Sequence, residues 1–185
     1  MIEYKPSPYV TWIKHIDEYP PNTDVVVVKE QQFEILVHPR HEHMVIPLSE
    51  DVYQASDKED KTKQLYFYSL AWIIPVLSSG NKSKIDNSFK IVASVLDIAK
   101  NKERSDTKNM LWDDHATCER LCVLLEMRGI KFIRAVLGEE VVKKIDDHIT
   151  AITRYLPELL ENENWKNNNH RVFHLMAAFI HAHSV

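Results

Sequence analysis

Two apolar stripes constrain this chain more than any other feature of its sequence. Ile85, Phe89, Val92, Leu96 and Ala99 recur at alternating spacings of four and three, and so do Ile145, Ile149, Ile152, Leu156 and Leu159. That rhythm returns each side chain to one side of a 3.6-residue helix, whereas a half-buried strand needs a period of two. Ile91, Val95 and Ile98 widen the first stripe, which predicts a helix over about 85–100 buried on two sides. The second predicts a helix over about 139–161, bent at Pro157. Further helices are predicted over 63–78, kinked or ended by Pro75, and from Trp112-Asp113-Asp114 to just before Gly129. A short one is predicted over 131–137, broken by Gly138, and a last one over 170–181. Short loops between about six helices favour antiparallel neighbours.

The N-terminal third reads differently. Residues 1–23 carry Pro6, Pro8, Pro20 and Pro21, and proline lacks an N–H and fixes φ, so an irregular arm is expected there. Three short β-branched runs follow, at 25–28, 33–37 and 44–48, and predict a hairpin or a small sheet. Residues 49–63 are polar and read as a linker or exposed loop. The expected organisation is an arm plus short strands over 1–61 and a helical domain over 62–185.

Composition narrows the function classes. Gly80, Gly129 and Gly138 are the only glycines, against roughly 13 at average usage. Their wide spacing excludes the glycine-rich loops that bring backbone close to phosphates, and no cofactor signature is present. With a net charge of −4 and no long basic run, a nucleic-acid partner is not indicated. The N-terminus has no apolar signal core, and the longest apolar stretch, Leu65 to Leu77, is interrupted by Ser69 and Pro75 and too short to span a bilayer. As written, the sequence is expected to be soluble and cytoplasmic, without a membrane partner.

Chemistry-bearing residues concentrate in two segments. In Trp112-Asp-Asp-His-Ala-Thr-Cys-Glu-Arg120, an Asp can cap the helix start, and Arg120 interrupts an apolar stripe with Asp113 on nearly the same face. The plain reading is a capped helix with a structural Arg–Asp pair, because a buried Arg needs partners. Cys118 and Cys122 are one turn apart, which suits core packing better than a disulfide. His115 shares a face with them, but a single helix lacks the second ligand pair of a metal site. In Asn167-Asn-Asn-His170 the asparagines precede the last helix, where free N–H groups and the helix dipole favour anions. An N-capping loop is the plain alternative. His170 and His174 stand four apart without the Glu of a zinc-binding helix motif, and His38, His41 and His43 read as loop histidines, so no metal is expected. Tyr66, Tyr68 and Tyr155 read as packing residues.

Trp112-Asp-Asp-His-Ala-Thr-x-x-Arg120, followed by Asn168-Asn-His170, resembles the heparinase II/III-like polysaccharide lyases, whose corresponding motifs are W-x-x-H-A-x-x-x-R and N-N-H-G. The resemblance covers about 65–182 and departs from the pattern at Arg171, where the family usually has Gly. It implies a mainly α fold: a partial α/α toroid of antiparallel helical hairpins, with a small β-containing region added at the N-terminus. It also implies an acidic polysaccharide or oligosaccharide as partner.

In such lyases the substrate carboxylate is neutralised, the C5 proton of a uronate is removed and the 4-linked sugar is eliminated. The resemblance assigns the carboxylate-handling role to Asn169, aided by His170. It places Trp112, His115 and Arg120 on the inner wall, in contact with substrate, with Arg171 beside them. The family's tyrosine base lies well downstream of N-N-H, and this sequence ends fifteen residues after His170. The expectation is therefore a module not catalytically complete on its own. Family members are often exported, which stands against the cytoplasmic expectation. The competing expectation is a non-catalytic helical interaction or carbohydrate-binding protein that completes its fold with a second copy or another chain.

Overall fold

A computed structural model describes residues 26–29, 32–37, 42–47, 52–104, 110–130, 133–162 and 170–184. The proline-rich arm, His38 and His41, and Asn167–Asn169 lie outside the described residues. The protein is mainly helical with a small N-terminal antiparallel sheet.

Strands β1 (Val26–Lys29), β2 (Gln32–Val37) and β3 (Glu42–Pro47) form an antiparallel meander in the order β1-β2-β3. Ile35 lies opposite Met44 and Phe33 opposite Ile46. Ile35, Met44 and Ile46 are fully buried, while Val45 between the last two is 46% exposed. Alternation of this kind makes one face of the sheet a wall of the core and pins the register, since a one-residue slip would turn the apolar set to solvent.

The polar stretch at 49–63 is not all loop. Val52–Asp57 forms a short helix, α1, whose Val52 and Ser56 are buried. Burial of one apolar residue and a hydroxyl partner overrides the weak local signal: Ser56 Oγ hydrogen-bonds the Tyr68 hydroxyl. The single helix expected over 63–78 is instead two, α2 (Lys61–Tyr68) and α3 (Ile73–Ser78). Asp60 caps α2, accepting from the Thr62 and Lys63 amides at 2.9 and 3.0 Å. The break falls before Pro75, at Leu70, whose φ is 61°. Pro75 sits in the first turn of α3, where a missing N–H costs no intrahelical bond, so it helps start a helix rather than kink one.

Helix α4 (Lys82–Asn101) buries both the predicted stripe and the widening residues Ile91 and Val95. Helix α5 (Asp114–Gly129) is buried on nearly all sides and packs against α2, α6 and α7. Helix α6 (Ile133–Glu161) holds Ile145, Ile149, Ile152, Leu156 and Leu159 in the core. It is two helical pieces joined at Gly138, whose φ of 73° suits a residue without Cβ. Helix α7 (His170–Ser184) closes the described chain against α5 and α6. One buried cluster joins the sheet residues Ile35, Met44 and Ile46 to the helical core. Among the described residues, no helix is long and apolar enough to cross a membrane.

Candidate functional site

The N-terminal turns of α5 organise two clusters of polar side chains among the described residues. Asp113, with non-helical φ −54° and ψ 141°, folds its carboxylate back over the helix end and accepts from the His115 and Ala116 amides at 3.0 and 3.4 Å. This geometry overturns the expected Arg120–Asp113 pair: a capping side chain satisfies the helix end and does not run down the stripe toward Arg120.

Arg120 is 0% exposed and uses all three of its nitrogens without touching a carboxylate. Nη1 donates to the Tyr68 carbonyl at 2.8 Å, Nη2 to the Leu111 carbonyl at 2.9 Å and Nε to His148 Nε2 at 3.0 Å. Its guanidinium carbon lies 5.3 Å from the centre of the Trp112 ring, and that ring packs against His148 at 5.5 Å. Burial pulls the Arg120 pKa down to about 10, which still leaves it protonated at neutral pH. Because Arg120 Nε donates, His148 Nε2 must present its lone pair, so the imidazole is neutral with its proton on Nδ1. Burial first, and the Arg120 charge second, hold the His148 pKa well below the usual histidine range. Arg120 thus ties α2, the 110–113 turn, α5 and α6 together through groups that no apolar side chain could satisfy.

The second cluster centres on Asp114, in the first turn of α5. One oxygen, Oδ2, accepts from His170 Nδ1 at 2.8 Å and from His174 Nε2 at 2.7 Å. His170 and His174 are one turn apart on α7, so i,i+4 spacing aims both rings at that oxygen. His174 is fully buried, Asp114 is nearly so, and the His170 side chain keeps 29% exposure. The cluster therefore runs from a dry floor at His174 to a wetted lip at His170. Beside it, His115 Nε2 pairs with Glu119 Oε1 at 3.0 Å. The His115 ring stacks on Phe173 at 3.8 Å and meets the rings of His170 and Tyr66 edge-on, each at 6.3 Å. Burial works against a charge on His115, but the hydrogen bond and charge of Glu119, with Asp113 and Asp114 behind it, leave its pKa raised. Two buried atoms of this cluster, His174 Nδ1 and Glu119 Oε2, have no hydrogen-bond partner.

Comparison of the chain with family models, with curated proteins and with solved structures yields no match.

The structure places the sequence-derived candidates unequally. It brings His115 and His170 together across fifty-five positions of sequence. Trp112 is half-buried over Arg120. Arg120 itself is sealed from solvent, so it braces the site and does not reach a ligand. Arg171 Nη1 donates to the Leu160 carbonyl, tying the start of α7 to the end of α6. Asn169 lies outside the described residues. No three of the described His, Cys, Asp and Glu residues form a group able to hold a metal ion. Cys118 and Cys122 are buried free thiols, raised by burial, Cys122 to about 12.

Four participants carry little signal in the sequence: Asp114 as the acceptor for two histidines, Glu119 as the partner of His115, Phe173 as its stacking surface, and His148 beneath Arg120. The i,i+4 pair His170 and His174 is the legible trace of the first, since two imidazoles on one helical face call for a shared partner.

Proposed function

We propose that this chain is a heparinase II/III-like helical module that binds uronate-containing, acidic polysaccharide, and that its carboxylate-handling corner is the start of α7 held on the start of α5. The observation that carries this reading is the Asp114 oxygen shared by His170 and His174. It draws together the two segments on which the resemblance rests. On this reading the helices form part of an α/α toroid, and Asn169, one residue before α7, hydrogen-bonds the substrate carboxylate. That contact withdraws charge from the carboxylate and acidifies the C5 proton, as hydrogen-bond donors stabilise any developing enolate-like charge.

His170 supports the same step. With Nδ1 directed at Asp114, its neutral form carries the lone pair on Nε2. Asp114 sets that tautomer and steadies the ring, while Arg120 and Trp112 hold the start of α5 in place. No tyrosine of the chain is assigned as the base, and the module is read as binding without completing elimination by itself.

The test is an ultraviolet assay for unsaturated uronate products with heparin-like, chondroitin-like and alginate-like polymers, run beside direct binding. Binding without turnover, weakened in Asn169→Ala, is the expected result. Wild-type binding by Asn169→Ala removes the assigned corner, and no binding of any acidic glycan removes the reading.

One observation favours a second reading. Val172, Leu175 and Phe179 on α7 are 52%, 52% and 53% exposed and fall on one helical face. Such a stripe suits a helical interaction protein that packs α7 against another subunit. Mass that rises with concentration, together with indifference to acidic glycans, is its signature.

A further inference from the structure

A cavity of about 670 Å³ opens between α4, α6 and the 102–104 segment, with the half-buried Trp112 at its wall. It shares no lining residue with the Asp114 cluster. Five cations line it, Lys100, Lys102, Arg104, Lys144 and Arg154, against three carboxylates, Asp97, Glu103 and Asp147. This local excess of positive charge stands out on a chain of net charge −4.

The carboxylates offset only part of it. Asp97 pairs with Lys144 at 2.8 Å, bridging α4 to α6, and Asp147 pairs with Lys143 at 2.6 Å, a residue outside the cavity lining. None of the ion pairs among the described residues uses Lys100, Arg104 or Arg154. Arg104 is nonetheless placed, its guanidinium 4.6 Å from the centre of the Tyr155 ring. Trp112 is held too: its Nε1 donates to the Lys102 carbonyl at 3.2 Å and its ring rests against His148 and Arg120. The rim residues Lys100, Lys102, Arg104 and Arg154 are exposed, so the cavity is open along one side.

We propose that this cavity is a second subsite for the acidic polysaccharide, taking one sulfate- or carboxylate-bearing sugar unit with its anionic groups on Lys100, Arg104 and Arg154 and its ring near Trp112. The size suits a sugar unit with its substituents, since ligand sites of this order hold small organic molecules. The open side lets a polymer continue past the cavity, and separated cations match charge repeated along such a chain. The inference rests on the acidic-glycan reading above and adds a place where affinity is generated away from Asn169.

The experiment is calorimetric titration of the full chain with a sulfated heparin-type tetrasaccharide and with its desulfated, carboxyl-reduced counterpart. The Trp112 indole signal is followed by NMR in parallel, assigned through Trp112→Phe. Expected are binding of the acidic ligand alone, weakening with added salt, and a shift of the Trp112 signal. Lys100→Glu with Arg154→Glu should lower affinity on the order of tenfold, and Arg104→Ala about threefold, as exposed charge contacts do. These side chains are exposed, and unchanged thermal melts of the variants are part of the expected result. Parent-like affinity in the charge variants, with affinity lost in Asn169→Ala, overturns the cavity and leaves the functional reading intact. Equal binding of the neutral ligand overturns the anionic assignment. A Trp112 shift with inorganic sulfate but no binding of any acidic glycan overturns the sugar assignment and the functional reading together.

Discussion

Two of the buried charges on helix α5, Asp114 and Arg120, lie six residues apart and are treated in opposite ways. Arg120 is a cation held by two backbone carbonyls and a neutral histidine, fully sealed, with its nitrogens all engaged. Asp114 is an anion held by two imidazoles, one of which reaches solvent. A guanidinium bonded to carbonyls is fixed in one charge state across the physiological range, so it can only brace. A carboxylate held by two imidazoles, one of them reaching solvent, remains open to contact from outside. The difference separates the part of the molecule that positions from the part that can react.

Arg120→Met is the variant that breaks the brace most severely. It strands the Tyr68 and Leu111 carbonyls in a dry interior, and a loss of about 3–5 kcal/mol is expected. Urea unfolding of parent and variant measures it. A loss under about 1 kcal/mol would mean that water or another donor replaces the guanidinium. Arg120→Lys should recover only part of the loss, because an ammonium cannot span three acceptors in a plane.

Asp114→Ala attacks the other cluster. Removing an acceptor shared by two histidines should cost about 2 kcal/mol, and the loss should be local. Hydrogen exchange is expected to accelerate in α7 with α4 left as protected as before. Uniform acceleration along both helices would show that the two clusters form one cooperative unit and would erase the contrast drawn between them.

The smallest effects are expected from pH, and their signs oppose. His148 has its pKa depressed below the ordinary 6.5, so the unfolded chain takes up a proton that the folded one refuses. Its contribution is complete above 6.5 and is lost as pH falls toward the depressed value. His115 has its pKa raised above 6.5, so its contribution is complete below 6.5 and is lost as pH rises through the folded value. His148→Gln, which keeps an acceptor for Arg120, should flatten the acid side of the stability profile. His115→Gln should flatten the side above 6.5. Stability curves from pH 5 to 8 check both, and matching slopes in the two variants would break the assignment of one sign to each cluster.

The helices with stripes were legible because burial of a helical face imposes its own period. Ile85 to Ala99 and Ile145 to Leu159 reappear as the core faces of α4 and α6, and the β-branched runs reappear as the strands. Elements without a stripe were not legible. Helix α1 forms because Val52 and Ser56 find partners distant in sequence, and the 63–78 helix divides at Leu70 for reasons of packing. The candidate site divides the same way. Composition and spacing mark Trp112, His115, Arg120 and His170 as residues that need partners, because buried polar groups must be satisfied wherever they fall. Which partners they take depends on what other helices bring within about 3 Å, and hydrogen-bond range has no counterpart in linear spacing. By itself, then, the sequence determined that the chain would be helical and which faces would be buried, since period is a property of one segment. Only the tertiary structure decided that Arg120 would be satisfied by Tyr68, Leu111 and His148 rather than Asp113, and that Asp114 would hold both histidines of α7. Those choices belong to several segments at once, and each is settled by the geometry in which the helices pack.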